Sequence, residues 1–525
     1  RNMLSTLSIY GSHDASVTFV DKNDEIKVLE YERFVNQRYG AFTQRMDHRN
    51  GLGSNDEKRN LFFQHIKKQV KKDIDLVIHN EISSGDMEFI SNHFPNAQFK
   101  KMEHHRSHAA SGFFQSGFEK AVIFSIDGGG NDYDGVTYTA SYLAEGDNVE
   151  LIKKYDINLG VAYGHIGCPI SEIKPGPDSD RHSLVYAGKV MGLCAYGNVI
   201  EDWIEPMAKY YNHKHLSQLG NEIGLDLTLN SIEGQSSYDL AATSQYVFEE
   251  LSLQLITPLI DEHEEHDVIL VGGCALNVLF NQRLYEHLDK SGRKLYVPPN
   301  PNDCGLSLGQ FLLEYPQQVN DIHYNGFELL DYDKLESHVK ERGARKIDVS
   351  EIVTLLKSGK LIGLVEGCSE IGPRALGNRS IICDPSFPNM KDILNSKVKF
   401  REWYRPFAPV ARLENASEYF NDVFESKYMS YAPTVKEEYE EELKAITHID
   451  KTSRLQTVTE KQHKRFYDIL KELENQGHVS VILNTSFNIL GNPILTKVED
   501  ALYVLDNTEL DYVIVDDYLF GEKNE

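Results

Sequence analysis

A repeated order of strands constrains this chain more than any other feature. Leu4–Gly11 is a largely apolar run ending in the polar turn GSHD, and Ala15–Asp21 and Glu25–Tyr31 follow on either side of DKND. The same order returns at Lys120–Asp127, which ends in DGGGND and is followed by Gly135–Ala144 and Val149–Tyr155 around EGDN. Apolar runs bounded by Gly, Asn, Asp and Ser read as strands closed by tight turns. A strand, a glycine or polar turn and two more strands, occurring twice, is an internal duplication.

Later segments extend the pattern. Val247, Leu251, Leu255 and Leu259 recur every four residues and predict a helix over Asp239–Asp261 with one apolar face. It leads into a buried strand, Val268–Val271, and then GGCALN, a glycine turn opening a further helix. Strand, glycine turn and helix together present backbone N–H groups to a phosphate. The mostly polar stretch Leu313–Asp348 is expected to be a linker or peripheral segment, with a second domain starting near Val349. Strands are expected at Ile362–Val365 and Val479–Leu483, and the domains are drawn as residues 1–345 and 346–525.

Composition sets bounds on function. Hydrophobic residues are 41% and charged residues 26%, the balance of a soluble globular chain. No run is long enough for a membrane helix, and the first apolar run is too short for a signal peptide. Cys168, Cys194, Cys274, Cys304, Cys368 and Cys383 form no CxxC pair, so neither a disulfide framework nor a cysteine zinc site is expected, and a reducing cytoplasm is. The formal net charge of −26 repels nucleic acid over most of the surface while leaving room for a local basic groove.

Four motifs carry chemistry. HHRSH sets His104 and His108 four apart, which on a helix puts both imidazoles on one face, as for a shared metal. A capping or surface pair is the alternative. Asp303, in PPNPNDCGLSLGQ, is a candidate third ligand, and two histidines with a carboxylate suit Fe(II), Mn or Zn. The turns GSHDAS (His13, Asp14), DGGGND (Asp127, Gly128, Gly129) and GGCALN (Gly272, Gly273, Asn277) are candidate phosphate loops, with plain hairpin turns as the alternative. AGKVMGLCAYG offers Gly188 and Gly192 for close approach of a flat ligand and Lys189 for a phosphate, or else a small-residue packing helix. Finally, EIGPRALGNRS and KFREWYRPFAP gather Arg374, Arg379, Lys399, Arg401 and Arg405 in an acidic chain, with Arg454 and NTSFN (Asn484, Ser486) adding polar groups. Guanidinium groups fork onto carboxylate and phosphate oxygens, so this set suits a small anion; structural salt bridges are the alternative.

HHRSHAASGFF, AGKVMGLCAYG, GPRALGNRSI, YRPFAP and NTSFN, in this order along the chain, resemble the NodU and tobramycin-type O-carbamoyltransferase family. The resemblance implies a duplicated α/β domain of the actin, sugar-kinase and heat-shock-chaperone ATPase type, followed by a YrdC-like α/β domain. It implies carbamoyl-adenylate formation from carbamoyl phosphate and ATP, with Mg for the nucleotide, and transfer of the carbamoyl group to a hydroxyl by the N-terminal domain with Fe(II) or another divalent metal. The metal ligands it implies are His104, His108 and Asp303. The nucleotide loops are Asp127, Gly128, Gly129, Gly188, Lys189, Gly192, Gly272, Gly273 and Asn277. His13 and Asp14 fall near the reacting centre. Arg374, Arg379, Lys399, Arg401, Arg454, Asn484 and Ser486 make the carbamoyl phosphate and adenylate site, with Lys399, Arg401 and Arg454 acting catalytically.

The acceptor is expected to be a small hydroxyl compound such as a sugar or natural product, or, as in some viral relatives, a 5-hydroxymethylpyrimidine in nucleotide or DNA. Threonylcarbamoyl transfer to tRNA is a third reading, disfavoured by the acidic charge. A cytoplasmic protein is expected, with a homodimer as one assembly. One departure stands out: the family's DGxGE turn is DGGGND here, which displaces the second acidic residue.

Overall fold

The first apolar runs form a five-stranded sheet of β1 (Thr6–Tyr10), β2 (Ser16–Val20), β3 (Ile26–Glu30), β4 (Leu76–Asn80) and β5 (Gln98–Lys101). Its order is β3-β2-β1-β4-β5, with β1 antiparallel to β2 and parallel to β4. The second sheet comprises β6 (Lys120–Asp132), β7 (Gly135–Glu145), β8 (Asn148–Tyr155), β9 (Asp267–Val271) and β10 (Leu295–Tyr296), in the order β10-β9-β6-β7-β8. Read from its other edge it repeats the first strand for strand, with β6 antiparallel to β7 and parallel to β9. The duplication expected from the sequence is therefore present, and it is the doubled α/β ATPase-type architecture.

In this computed structural model, residues 3–42, 56–173, 182–212, 215–489 and 491–521 are described. Arg1–Val35 and Tyr39–Asn320 form one unit; Asn36–Arg38 and Asp321–Glu525 form the other. Helices of the first unit include α1 (His104–Ser116), α2 (His182–Cys194), α3 (Gln235–Glu262), α4 (Val278–Asp289) and α5 (Leu306–Glu314). The buried residues of α3 include Val247, Phe248, Ser252, Ile256, Leu259 and Ile260 rather than the even four-residue stripe expected. A four-residue step overshoots the 3.6-residue turn, so such a stripe drifts around the helix and off the core.

The second unit holds an eight-stranded sheet. Its strands are β11 (Arg345–Lys346), β12 (Ile362–Val365), β13 (Arg379–Cys383), β14 (Ala408–Arg412), β15 (Gln456–Val458), β16 (Ile482–Ser486), β17 (Tyr512–Val515) and β18 (Tyr518–Phe520). They lie in the order β11-β18-β17-β12-β13-β16-β14-β15. Side chains alternate across a strand, so Val513 and Val515 enter one core while Ile514 enters the other, where helix α8 (Lys464–Asn475) packs through Phe466, Ile469 and Leu470.

The segment expected to be a linker belongs to this second unit. Leu313 and Glu314 end α5. Beyond Asn320, Phe327, Leu329 and Leu335 are buried, α6 (Leu335–Arg342) forms, and β11 pairs with β18 ahead of α7 (Val349–Lys357). Sparse apolar residues in a polar stretch were enough to tie it down. The boundary between units thus falls at Asn320/Asp321 instead of 345/346. Among the described residues, no helix is long and apolar enough to cross a membrane.

Candidate functional site

In the first unit, four side chains converge. His104 and His108 project from the first turns of α1 with ring centroids 4.8 Å apart. Asp127 lies in β6, and Asp303 opens the short helix Asp303–Gly305 just before α5. His104 Nε2 and His108 Nε2 stand 3.0 and 2.9 Å from Asp127 Oδ2, and 3.4 and 3.2 Å from Asp303 Oδ1. Local packing makes this convergence specific. A Cβ at Gly309 in α5 would sit 1.8 Å from the Ser107 carbonyl oxygen, so only glycine lets α5 press onto α1 beside Asp303. A Cβ at Gly130 would sit 2.1 Å from the His104 ring, so the DGGGND segment can wrap that imidazole only as glycine. That segment is a bulge within β6, between Ile126 and Gly130, rather than a turn after the strand.

The geometry fits a metal ion. The four ligand atoms lie within 4.8 Å of one another and all four residues are buried. Bonds of about 2.1 Å to one centre place ligand atoms roughly 3–4.2 Å apart. Two imidazoles and two carboxylates suit Fe(II), Mn or Zn. Asp127, expected among the nucleotide loops, turns its carboxylate Oδ2 into this cluster as a fourth donor. The charges are arranged to match. Burial opposes a charged His104, yet Asp303 and the hydrogen bond to Asp127 push it up to about 10. Burial likewise opposes the Asp303 carboxylate, as does the Asp127 charge, but His104 and His108 hold it down at about 2. Burial also works against the Asp127 carboxylate, and its hydrogen bonds to both histidines bring it well below the usual range.

Around the cluster, His13 Nε2 lies 3.3 Å from Asp303 Oδ2, and its Nδ1 lies 3.0 Å from Asp14 Oδ2. Two further residues escaped the sequence reading. Tyr10, at the end of β1, donates its buried hydroxyl to Asp303 Oδ2 at 3.1 Å. His105 donates from Nε2 to the Thr137 carbonyl at 2.7 Å and accepts from Ser125 Oγ on Nδ1 at 2.7 Å, since a carbonyl can only accept. Burial, then the neighbouring His104, pushes it down to about 4, so it serves as a neutral strut between α1 and the sheet. An apolar-strand tyrosine and a third histidine in HHRSH carried no spacing signal of their own.

Besides GSHDAS, which reaches Asp303 through His13, the other two expected phosphate loops meet this cluster. The Gly128 N–H donates to Asp127 Oδ1 at 2.7 Å, and a Cβ at Gly273 would sit 3.4 Å from the same oxygen. Asn277 caps α4 by accepting from the Phe280 N–H at 3.0 Å, and its amide exchanges two hydrogen bonds with Gln245. Gly129 lies in the β6 bulge and Gly272 follows β9 with φ 87°. Gly188, Lys189 and Gly192 lie on α2, where Lys189 Nζ reaches the Ile173 carbonyl at 3.4 Å and a Cβ at Gly188 would meet nothing.

In the second unit the basic motifs form a separate cluster. Lys399 Nζ donates to the Ser486 carbonyl at 2.7 Å, to Ser486 Oγ at 3.0 Å and to Asn488 Oδ1. Arg401 donates from Nε to Asn395 Oδ1 at 2.8 Å and lies 4.4 Å over the Phe407 ring. Arg405 pairs with Glu402 at 3.2 Å. Arg374 and Arg454 make no hydrogen bond or ion pair among the described residues, and Arg454 Nε is buried without a partner. Burial lowers Arg454 far below the usual arginine range, and Arg374, Arg401 and Arg405 add to it. Burial, then Arg405 and Arg38, brings Arg374 down to about 10. Crowded cations that depress one another are stabilised by an incoming anion.

Arg379 departs from expectation. It is fully buried and donates to the carbonyls of Glu366 and Asn378 at 2.7 Å, Gly367 at 2.9 Å and Phe327 at 3.3 Å. A guanidinium whose two terminal nitrogens are taken by four backbone oxygens braces the GPRALGNRS loop. Glu370 Oε1 reinforces that loop by accepting from the N–H groups of Leu376, Asn378 and Arg379.

Fold and site together define a two-unit α/β enzyme with a buried histidine–carboxylate centre in one unit and a crowded cation cluster in the other. Family models for the carbamoyltransferase N-terminus and C-terminus match residues 93–312 and 353–522. The nodulation protein NolO of Bradyrhizobium diazoefficiens is 31% identical over 80% of this chain and 79% of its own length. An uncharacterized protein of Methanocaldococcus jannaschii is 30% identical over 81% of this chain and 84% of its own, and nodulation protein U of Sinorhizobium fredii 26% identical over 81% and 78%. A crystal structure of full-length HypF in a phosphate- and nucleotide-bound form covers 59% of this chain and 55% of its own at 16% identity, with a TM-score of 0.36. The chain belongs to the carbamoyltransferase family and is a carbamoyltransferase enzyme.

Proposed function

We propose that the second unit, read as YrdC-like, activates the carbamoyl group and the first unit transfers it. The observation that carries this reading is the pair of unpartnered guanidiniums, Arg374 and Arg454, set among Lys399, Arg401 and Arg405. Such a cluster draws in carbamoyl phosphate and ATP and offsets the charge that grows on departing phosphates. In balance, carbamoyl phosphate, ATP and water give carbamoyl-adenylate, orthophosphate and pyrophosphate. Water releases orthophosphate from carbamoyl phosphate, the carbamate oxygen so freed bonds to the α-phosphorus of ATP as a mixed anhydride with AMP, and the bond from the α-phosphorus to the bridging oxygen of pyrophosphate breaks.

In the first unit, His104, His108, Asp127 and Asp303 would hold the metal. A divalent ion there would supply Lewis acidity to a carbonyl or phosphate oxygen. The DGGGND and GGCALN loops would border the AMP moiety. The acceptor oxygen attacks the carbamoyl carbon, AMP departs, and the hydroxyl proton passes to His13 Nε2, whose ring Asp14 orients from Nδ1. The net charge of −26 favours a small hydroxyl acceptor over a polyanion, and free cysteines suit the cytoplasm. The test is the full chain with ATP, carbamoyl phosphate, Mg and Fe(II) against a panel of sugars, aminoglycosides and 5-hydroxymethylcytosine as nucleotide and in DNA. Pyrophosphate release and a mass gain of one carbamoyl group on an acceptor are expected; a product that requires threonine would overturn the reading.

A further inference from the structure

The first unit holds a carboxylate that the transfer chemistry above leaves unused. Glu81 follows the last residue of β4, and β4 pairs with β1 so that Asn80 lies opposite Tyr10, the donor to Asp303. The corner that Glu81 occupies joins two further parts of the site. The Gly11 N–H, at the start of the GSHDAS turn that carries His13, donates to the Asn80 carbonyl at 3.2 Å. Asn131, one residue past the Gly130 that lies against the His104 ring, donates from Nδ2 to Glu81 Oε1, since a carboxylate only accepts. Position 131 is the second acidic residue of the family's DGxGE turn and is an amide here. Glu81 sets a carboxylate against that amide from a different strand.

Its acceptor capacity is mostly open. Glu81 is half-buried, it makes no ion pair among the described residues, and its Oε2 takes no hydrogen bond from them. The adjacent Asn80 is 1% exposed and donates from Nδ2 to the carbonyls of Met102 at 2.6 Å and Asn131 at 2.9 Å, which leaves its Oδ1 buried with no donor among the described residues. Two neighbouring acceptors that lack a donor point to a ligand that brings N–H or O–H groups. The backbone of Glu81 stands at φ 57°, a conformation glycine adopts more readily, so the carboxylate is kept there against a conformational cost. Burial first, then Asp303 and Glu81, push the Tyr10 hydroxyl well above the usual tyrosine range, so the Glu81 charge is felt at the metal centre. Tyr133, two residues past Asn131, is 60% exposed while its hydroxyl is tied to the Lys101 carbonyl at 3.1 Å, a fixed aromatic surface for a ring to lie on. We propose that Glu81 determines which acceptor the first unit takes: its Oε2 accepts a hydrogen bond from a second donor group on the acceptor, and its charge ranks acceptors cationic above neutral above anionic. This rests on the transfer reading above and names the residue that gives it specificity. Glu81 takes no part in the bond changes; the proton of the reacting hydroxyl still goes to His13.

The test uses the full chain with ATP, carbamoyl phosphate, Mg and Fe(II), and three pyranoses that share a ring but differ in charge: glucosamine, glucose and glucuronate. The readout is kcat/KM for the mass gain of one carbamoyl group on a hydroxyl, with pyrophosphate release measured alongside. The wild type should take glucosamine best and glucuronate worst, at least about 10-fold apart, because a like charge beside the site costs binding even when partly screened. Glu81→Gln keeps the shape and one acceptor oxygen but not the charge, so it should level glucosamine with glucose and admit glucuronate. Glu81→Gly suits the backbone at φ 57° and should fold; it should lose roughly 10-fold on glucosamine and glucose and little on glucuronate. Equal use of the three sugars by the wild type overturns the inference, even if both variants fail to fold. So does a variant that slows all three alike, the result expected of a residue that only shapes the turn. Pyrophosphate release by the wild type with none of the three carbamoylated also overturns it. No pyrophosphate from the wild type overturns the proposed function itself, and the inference with it.

Discussion

Asp127 shows what a single side chain can decide. Placed among phosphate loops by its glycine neighbours, it also contributes a carboxylate 2.9 Å from His108 and 3.0 Å from His104. Removing its charge while keeping its shape should therefore damage the metal centre first. Asp127→Asn is expected to bind Fe(II) at least about 100-fold more weakly, since loss of even an outer partner of a metal ligand costs 10–100-fold. Metal analysis after gel filtration reads this directly, and stoichiometric iron in the variant would leave Asp127 with the nucleotide. Arg379 teaches the converse. Its charge suggested an anion site, but four backbone carbonyls take its two terminal nitrogens.

At the scale of elements, the β6 bulge and the cap of α8 do the positioning. His463 accepts from the Phe466 N–H at 3.1 Å through Nδ1 and donates from Nε2 to Asn378 Oδ1 at 3.0 Å, tying α8 to the GPRALGNRS loop. Burial, helped by Arg465 and His323, pushes this imidazole down to about 3. The fold holds the neutral form. The unfolded chain therefore binds the extra proton between its own value, about 6.5, and the folded one. Stability from this cap is complete above that upper limit and drains away as pH falls toward 3, by up to about 1.4 kcal/mol per pH unit. His463→Asn keeps a capping acceptor and should flatten the dependence of the urea midpoint on pH between about 4 and 6.5. An unchanged slope in that variant would assign the acid sensitivity to other groups.

For the whole molecule, the proposed function divides the chemistry between the two units. Arg454→Ala should abolish pyrophosphate release and acceptor carbamoylation together, because no activated group is made. Asp303→Ala should keep pyrophosphate release within a few-fold of wild type while transfer falls by at least roughly 100-fold. Paired assays on the same folded preparations, with carbamoyl phosphate and ATP supplied to both, separate the two. Loss of pyrophosphate release in the Asp303 variant would contradict the division. The net charge of −26 sharpens the contrast, because in so acidic a chain five clustered basic side chains are a local field rather than a general property.

The sequence by itself determined the repeat, the two-sheet architecture and the i, i+4 histidine pair. Strand alternation, glycine turns and helical spacing are local properties, written within a few residues of where they act. It also marked Asp303 as a ligand candidate and the basic motifs as one group. Tertiary structure alone decided that Asp127 faces the histidines and that Tyr10 reaches Asp303. It decided too that Arg379 is consumed by backbone while Arg374 and Arg454 are not, and that residues 321–348 join the second core. Those outcomes depend on which surfaces approach across tens or hundreds of residues: Ser107 against Gly309, His104 against Gly130, Asn484 against Ala375. A charged residue has the same letter whether its donors meet carbonyls or open space, so its role is fixed only when packing brings its neighbours in.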